Sequence, residues 1–141
     1  MPTIADIAVA LASTSVRIRG REVVVRALTA AEAAILRKCL DRPTPPGVES
    51  NGAIVPNETD PVYLAALGEY RARLAGLEAA ASIDLSCDGK VFRGDDLTAS
   101  RAWAAPALKD VGDLTEAEIA SVLRAGAELS GEKAVEAARG N

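Results

Sequence analysis

The stretch Val16-Arg17-Ile18-Arg19-Gly20-Arg21-Glu22-Val23-Val24-Val25-Arg26 decides the fold class of this chain. Val16 and Ile18 alternate with Arg17 and Arg19, the two-residue period of a strand with one face buried. Gly20-Arg21, with glycine first, suits a type II′ turn, and folding about it pairs Ile18 with Val23 and Val16 with Val25. One face of the hairpin then holds Val16, Ile18, Val23 and Val25. The other holds Arg17, Arg19, Glu22 and Val24, with Arg26 further on. A slip of one residue would scatter both sets. A lone hairpin is marginal in water, so the apolar face has to meet helices or further strands.

Working outward, Leu28-Thr29-Ala30-Ala31-Glu32 opens a helix, with Thr29 as N-cap and Glu32 as its capping-box partner. Ile35, Leu36, Cys39 and Leu40 form its apolar stripe. Arg37 and Lys38 favour the dipole of its last turn, and Pro43 ends it. On the other side of the hairpin, Ile4, Ile7, Ala8 and Leu11 recur at helical spacing, and Ser13-Thr14-Ser15 breaks that short helix. Asp41 to Thr59 contains Pro43, Pro45, Pro46, Gly47, Gly52 and Pro56, and reads as a mobile surface loop.

Asp60 then caps the longest helix, with Pro61 at its first position. Its stripe is Tyr63, Leu67, Tyr70, Leu74, Leu77 and Ala81, a seam suited to another helix in the same domain or in a partner. Ile83 to Arg93 is ambiguous between a second short hairpin, turning at Asp88-Gly89, and a plain loop with a turn. Leu97, Trp103 and Leu108 lie in an Ala-rich stretch expected to be helical until Pro106. Thr115 and Glu118 form a second capping box, with Leu114 and Ile119 as hydrophobic staple, and Val122, Leu123 and Leu129 follow on one side. Fraying is expected after Gly131. The fold class is therefore α+β and mostly helical, an N-terminal hairpin on a small bundle of helices. Residues 1–131 form one domain and 132–141 a frayed tail.

The inventory removes functions. Among 141 residues there are 16 basic and 20 acidic side chains, a net charge of −4, and no histidine. Catalytic triads and His-ligated metals are excluded, and Cys39 and Cys87 are too few for a thiolate zinc site. Both cysteines read as small buried hydrophobes in a reducing compartment. Apolar residues make up 49% and aromatics only 3%, so the core is aliphatic and rich in alanine. The apolar start, Met1 to Ala12, carries Asp6, has no basic flank and falls short of a membrane span. Asp95-Asp96 and Glu116/Glu118 are carboxylate pairs, read as helix starts rather than acid–base catalysts. Arg17, Arg19, Arg21 and Arg26 form the one basic concentration. They read as the solvated face of the hairpin, with a phosphate-gripping ribbon as the alternative. Neither a catalytic residue, a cofactor nor a metal is expected. The candidate partner-binding residues are Tyr63, Leu67, Tyr70, Leu74 and Leu77.

The block VRIRGREVVVRALTAAEAAILRK, residues 16–38, resembles the opening of tailed-phage tail assembly chaperones, where a charged hairpin runs into a helix with a Leu-Thr-x-x-Glu start. The Pro-rich break, the Ala-rich helix 60–81, the Gly turn before Phe92, Trp103 and the closing LTEAEIASVLRAGAELSG are similar as well, so the resemblance covers residues 15–131. It implies a non-catalytic protein of the host cytoplasm. Such proteins bind the apolar-striped phage tape measure protein, keep it soluble and help recruit tail tube subunits. Homo-oligomers are compatible with it; nucleic acid and membrane are not expected partners. In this family a longer frameshifted product is common, and a polar terminus after Gly131 is compatible with one. The alternatives are a structural virion or head–tail connector component and, further off, a DNA-binding regulator using the arginine face.

Overall fold

Arg19 and Gly20 turn the first hairpin, with φ of 52° and 78°. Left-handed backbone at both central residues is the type I′ geometry, which matches the natural twist of the strands. The expected II′ turn at Gly20-Arg21 is replaced by it. A computed structural model describes residues 13–139, with side chains described to residue 129. In it, strand β1 (Ser13–Ile18) pairs antiparallel with β2 (Arg21–Arg26), Val16 opposite Val23 and Ile18 opposite Arg21. This register differs from the expected one by two residues. A two-residue shift leaves every side chain on its own face, so alternation alone could not separate the two. Ser13, Thr14 and Ser15 belong to β1. The helix expected at residues 4–11 lies outside the described residues.

Helix α1 (Ala30–Lys38) starts as read: Thr29 Oγ1 accepts from Glu32 N at 3.1 Å and Glu32 Oε1 accepts from Thr29 N at 3.0 Å. The proline-rich stretch after it is not without structure. Strand β3 (Gly47–Ser50) pairs with β4 (Ala53–Pro56) about Asn51-Gly52, again a type I′ turn with φ of 53° and 81°. Gly47 has a packing reason: a Cβ there would sit 2.6 Å from Ile54 Cγ2, so the Ile54 side chain occupies that space. The second hairpin of the fold is thus at 47–56. At Asp88-Gly89 only an isolated bridge forms, between Cys87 and Lys90.

Helix α2 (Pro61–Ser82) is capped by Asp60, whose carboxylate accepts from Tyr63 N at 2.9 Å. It packs against α1, α3 (Leu97–Val111) and α4 (Glu116–Arg139), and is the hub of the bundle. Gly76, Ala79, Ala80 and Ala81 are buried along it, and their small side chains let neighbouring helices approach closely. Helix α3 runs through Pro106 to Val111 instead of stopping. Proline removes one backbone hydrogen bond, a penalty of about 3 kcal/mol in a helix interior. Trp103, Ala104, Ala107 and Val111 are all buried on that helix, and packing on both sides of Pro106 keeps the helix going. Helix α4 begins with its expected capping box, Glu118 N to Thr115 Oγ1 at 3.1 Å and Thr115 N to Glu118 Oε1 at 2.9 Å, and continues past Gly131 to Arg139, so at 24 residues it, and not the 22-residue α2, is the longest described helix.

Two contiguous cores result. The larger gathers Leu36, Leu77, Cys87, Trp103 and Val111 with their neighbours, closed by Leu74, Leu85 and Phe92. Trp103 Nε1 donates to Leu85 O at 2.9 Å, which satisfies the one polar atom of the largest buried side chain. The smaller core seats the first hairpin on α4: Val25 is fully buried with Ala79, Val122 and Ala125, and Val16 and Ile18 pack against them.

Candidate docking surface

The five residues of the α2 stripe divide between interior and surface. Leu77 is fully buried in the larger core and Leu74 packs against it, so this end of the seam is spent inside the domain. Leu67 is also buried. Tyr63 and Tyr70 are half-buried and line a groove between α2 and residues 39–46. The groove consists of two open clefts of about 360 and 330 Å³ that share Pro43 and Ala66. Cys39, Leu40 and Glu69 wall the first, and Pro45, Pro46 and Val62 the second.

Beyond the groove lie apolar residues that the stripe did not include. Val62 is 78% exposed and Leu64 49%, both on the first turn of α2 but off its buried side. The β3–β4 hairpin stands at the end of the groove, its base closed by Asn57 N donating to Pro46 O at 2.8 Å. All eight of its strand residues are exposed, including Ile54 at 80%, Val48 and Val55. The hairpin was legible through Asn51-Gly52 flanked by Val48, Ile54 and Val55, the strongest short turn signal a sequence carries. The density of prolines around it masked that signal.

Past Arg42, the charge along the chain here is acidic. From Pro43 to Leu64 the chain carries Glu49, Glu58 and Asp60 and no lysine or arginine. Further along α2, Glu69 and Arg73 neutralise each other at 2.6 Å. Cys39 in the groove wall is held as a thiol, because burial pushes its pKa up more than nearby Arg101 pulls it down. Cys87 is buried, and burial followed by the Asp110 carboxylate pushes its thiol up to about 11, so neither cysteine is an activated nucleophile.

The arginines of the first hairpin are mostly engaged. Arg19 grips Glu118 with two hydrogen bonds of 3.0 Å and also donates to Asp113 O. Arg26 bridges Glu32 at 2.8 Å and Asp84 at 2.9 Å. Only Arg17 and Arg21 of the cluster make no ion pair among the described residues. Of the carboxylate pairs, Asp96 caps α3 through Ala99 N at 3.0 Å, and Glu118 is shared between its capping box and Arg19. Among the described residues no three His, Cys, Asp or Glu side chains are grouped to hold a metal, and no helix is long and apolar enough to cross a membrane. No protein-family model, curated protein or solved structure matches this chain.

Proposed function

We propose that this chain is a tail assembly chaperone of a tailed phage, acting by protein–protein contact in the host cytoplasm and catalysing nothing. Its client on this reading is the tape measure protein, which it keeps soluble while tail tube subunits are recruited. The observation that carries the reading is the groove lined by Tyr63 and Tyr70, with exposed Val62 and Leu64 beside it and exposed Val48, Ile54 and Val55 on the β3–β4 hairpin that follows Pro46. Exposed apolar residues clustered on one side of a small acidic protein are a surface for covering another chain. The hairpin-to-capped-helix block of residues 16–38, on which the resemblance rests, is the second support.

Co-expression with the tape measure protein of the same genome tests this. The expected result is a several-fold rise in soluble tape measure protein and co-purification of the two. An unchanged soluble fraction without co-purification contradicts the proposal. Stable presence of the chain in purified particles would favour a structural virion component instead.

A further inference from the structure

We infer that the outer edge of β3 is a docking strand for an extended polypeptide segment in which apolar residues alternate with lysine or arginine. This goes beyond the chaperone reading and does not depend on which protein supplies the segment.

The ladder of the second hairpin fixes which backbone groups are left open. Val48 opposes Val55 and Ser50 opposes Ala53, while Asn57 N bonds Pro46 O one step beyond the strands. Hydrogen-bonded and non-bonded pairs alternate in an antiparallel hairpin, so 46/57, 48/55 and 50/53 are the bonded pairs. Gly47 and Glu49 therefore turn their N–H and C=O groups outward along β3. On β4 the equivalent positions are Ile54 and Pro56, and proline has no N–H to offer. The two edges are thus unequal, and β3 is the one with a complete set of donors and acceptors. Among the described residues the sheet has two strands, and none covers this edge.

The side chains specify the occupant. A strand added beside β3 would place alternate residues next to Val48 on one face and next to Glu49 on the other. Val48 and its partner Val55 are exposed apolar neighbours, and Glu49 and Ile54 share the opposite face. An apolar residue is favoured on the first face and a cation on the second. The surrounding charge agrees: Glu58 and Asp60 are the other carboxylates between Pro43 and Leu64, and no lysine or arginine lies in that span, which Arg42 adjoins. The same acidity opposes pairing of β3 with a second copy of itself, which would bring Glu49 carboxylates together.

The test uses the full chain and a synthetic peptide of about ten residues alternating valine and lysine, with a scrambled peptide of the same composition and a valine–glutamate version as controls. Only the alternating cationic peptide should bind, and binding should slow amide exchange at Gly47 and Glu49 while leaving Val48, already bonded inward, unchanged. Glu49→Pro removes one outward N–H at a position outside the hairpin's own ladder and should abolish binding. Glu49→Lys leaves the backbone intact and should weaken binding on the order of tenfold. Absence of binding to the natural chain, equal binding of the glutamate peptide, or binding undiminished in both variants overturns the proposal. So does a dimer of the natural chain that Glu49→Pro dissolves. If tape measure protein co-purifies with the natural chain but the alternating cationic peptide does not bind, the edge proposal falls and the chaperone reading stands. If the peptide binds as stated but tape measure protein is never captured, the reverse holds.

Discussion

Asp84 ends helix α2 in a conformation that usually selects glycine. Its φ is 50°, Asp84 N donates to Ala81 O at 3.1 Å and Leu85 N to Ala80 O at 3.0 Å, the paired bonds of a Schellman cap. A non-glycine residue there costs on the order of 1 kcal/mol, offset in part by Arg26 Nε on its carboxylate at 2.9 Å. Asp84→Gly should therefore hold or raise the urea midpoint, while Asp84→Ala, which keeps the strain and loses the arginine, should lower it by about 1 kcal/mol of stability. Two glutamates give opposite pH signatures. Burial pushes Glu32 up, but Arg26 and the Thr29 cap hold it down by more, so its carboxyl lies below its ordinary value. Its stabilising contribution is full above that ordinary value and is lost as pH falls through the depressed one. Glu78 is half-buried, and burial raises it against the pull of Arg37, so its ionised form is penalised above the raised value and the penalty vanishes in acid. Denaturation curves across the acid range should show Glu32→Gln destabilising and Glu78→Gln stabilising at neutrality, the Glu78 effect fading as pH falls through its raised value and the Glu32 effect only as pH falls through its depressed one.

At the scale of elements, helix starts depend on local chemistry, and the length of α3 depends on packing. Both capping boxes and the Asp60-Pro61 start are written within four residues, and each forms as read. Helix α3 shows the converse, since Pro106 should end it and the burial of Ala107 and Val111 beyond it does not allow that. Pro106→Ala is expected to raise stability by about 1–3 kcal/mol, less whatever contacts the ring makes, measured by thermal or urea unfolding. The α2 seam is similar: its spacing announced one apolar stripe, and only the neighbouring helices divide it. Leu77→Ala should cost about 3–5 kcal/mol because it opens a cavity in the larger core. Tyr63→Ala, at the groove, should leave the fold near its normal stability and lower capture of a client chain.

For the molecule as a whole, the second hairpin is an outlier, paired with itself and exposed at all eight of its strand residues. Replacing Gly47–Pro56 by a short glycine–serine linker should shift the melting temperature by no more than about 2–3 °C while abolishing peptide binding, a separation calorimetry and a binding titration can read together. The first hairpin behaves oppositely, since Val25 and the Arg19 clamp tie it into α4. Alternation, caps and glycine turns act over two to four residues, and the sequence by itself therefore determined a mostly helical α+β chain with its N-terminal hairpin, helix starts and face sorting. Register at Arg19-Gly20, passage through Pro106 and the split of the α2 stripe are settled between elements far apart in the chain. There the Arg19–Glu118 contact and the burial of Trp103 and Leu77 outweigh local preference, and only the tertiary structure could decide them.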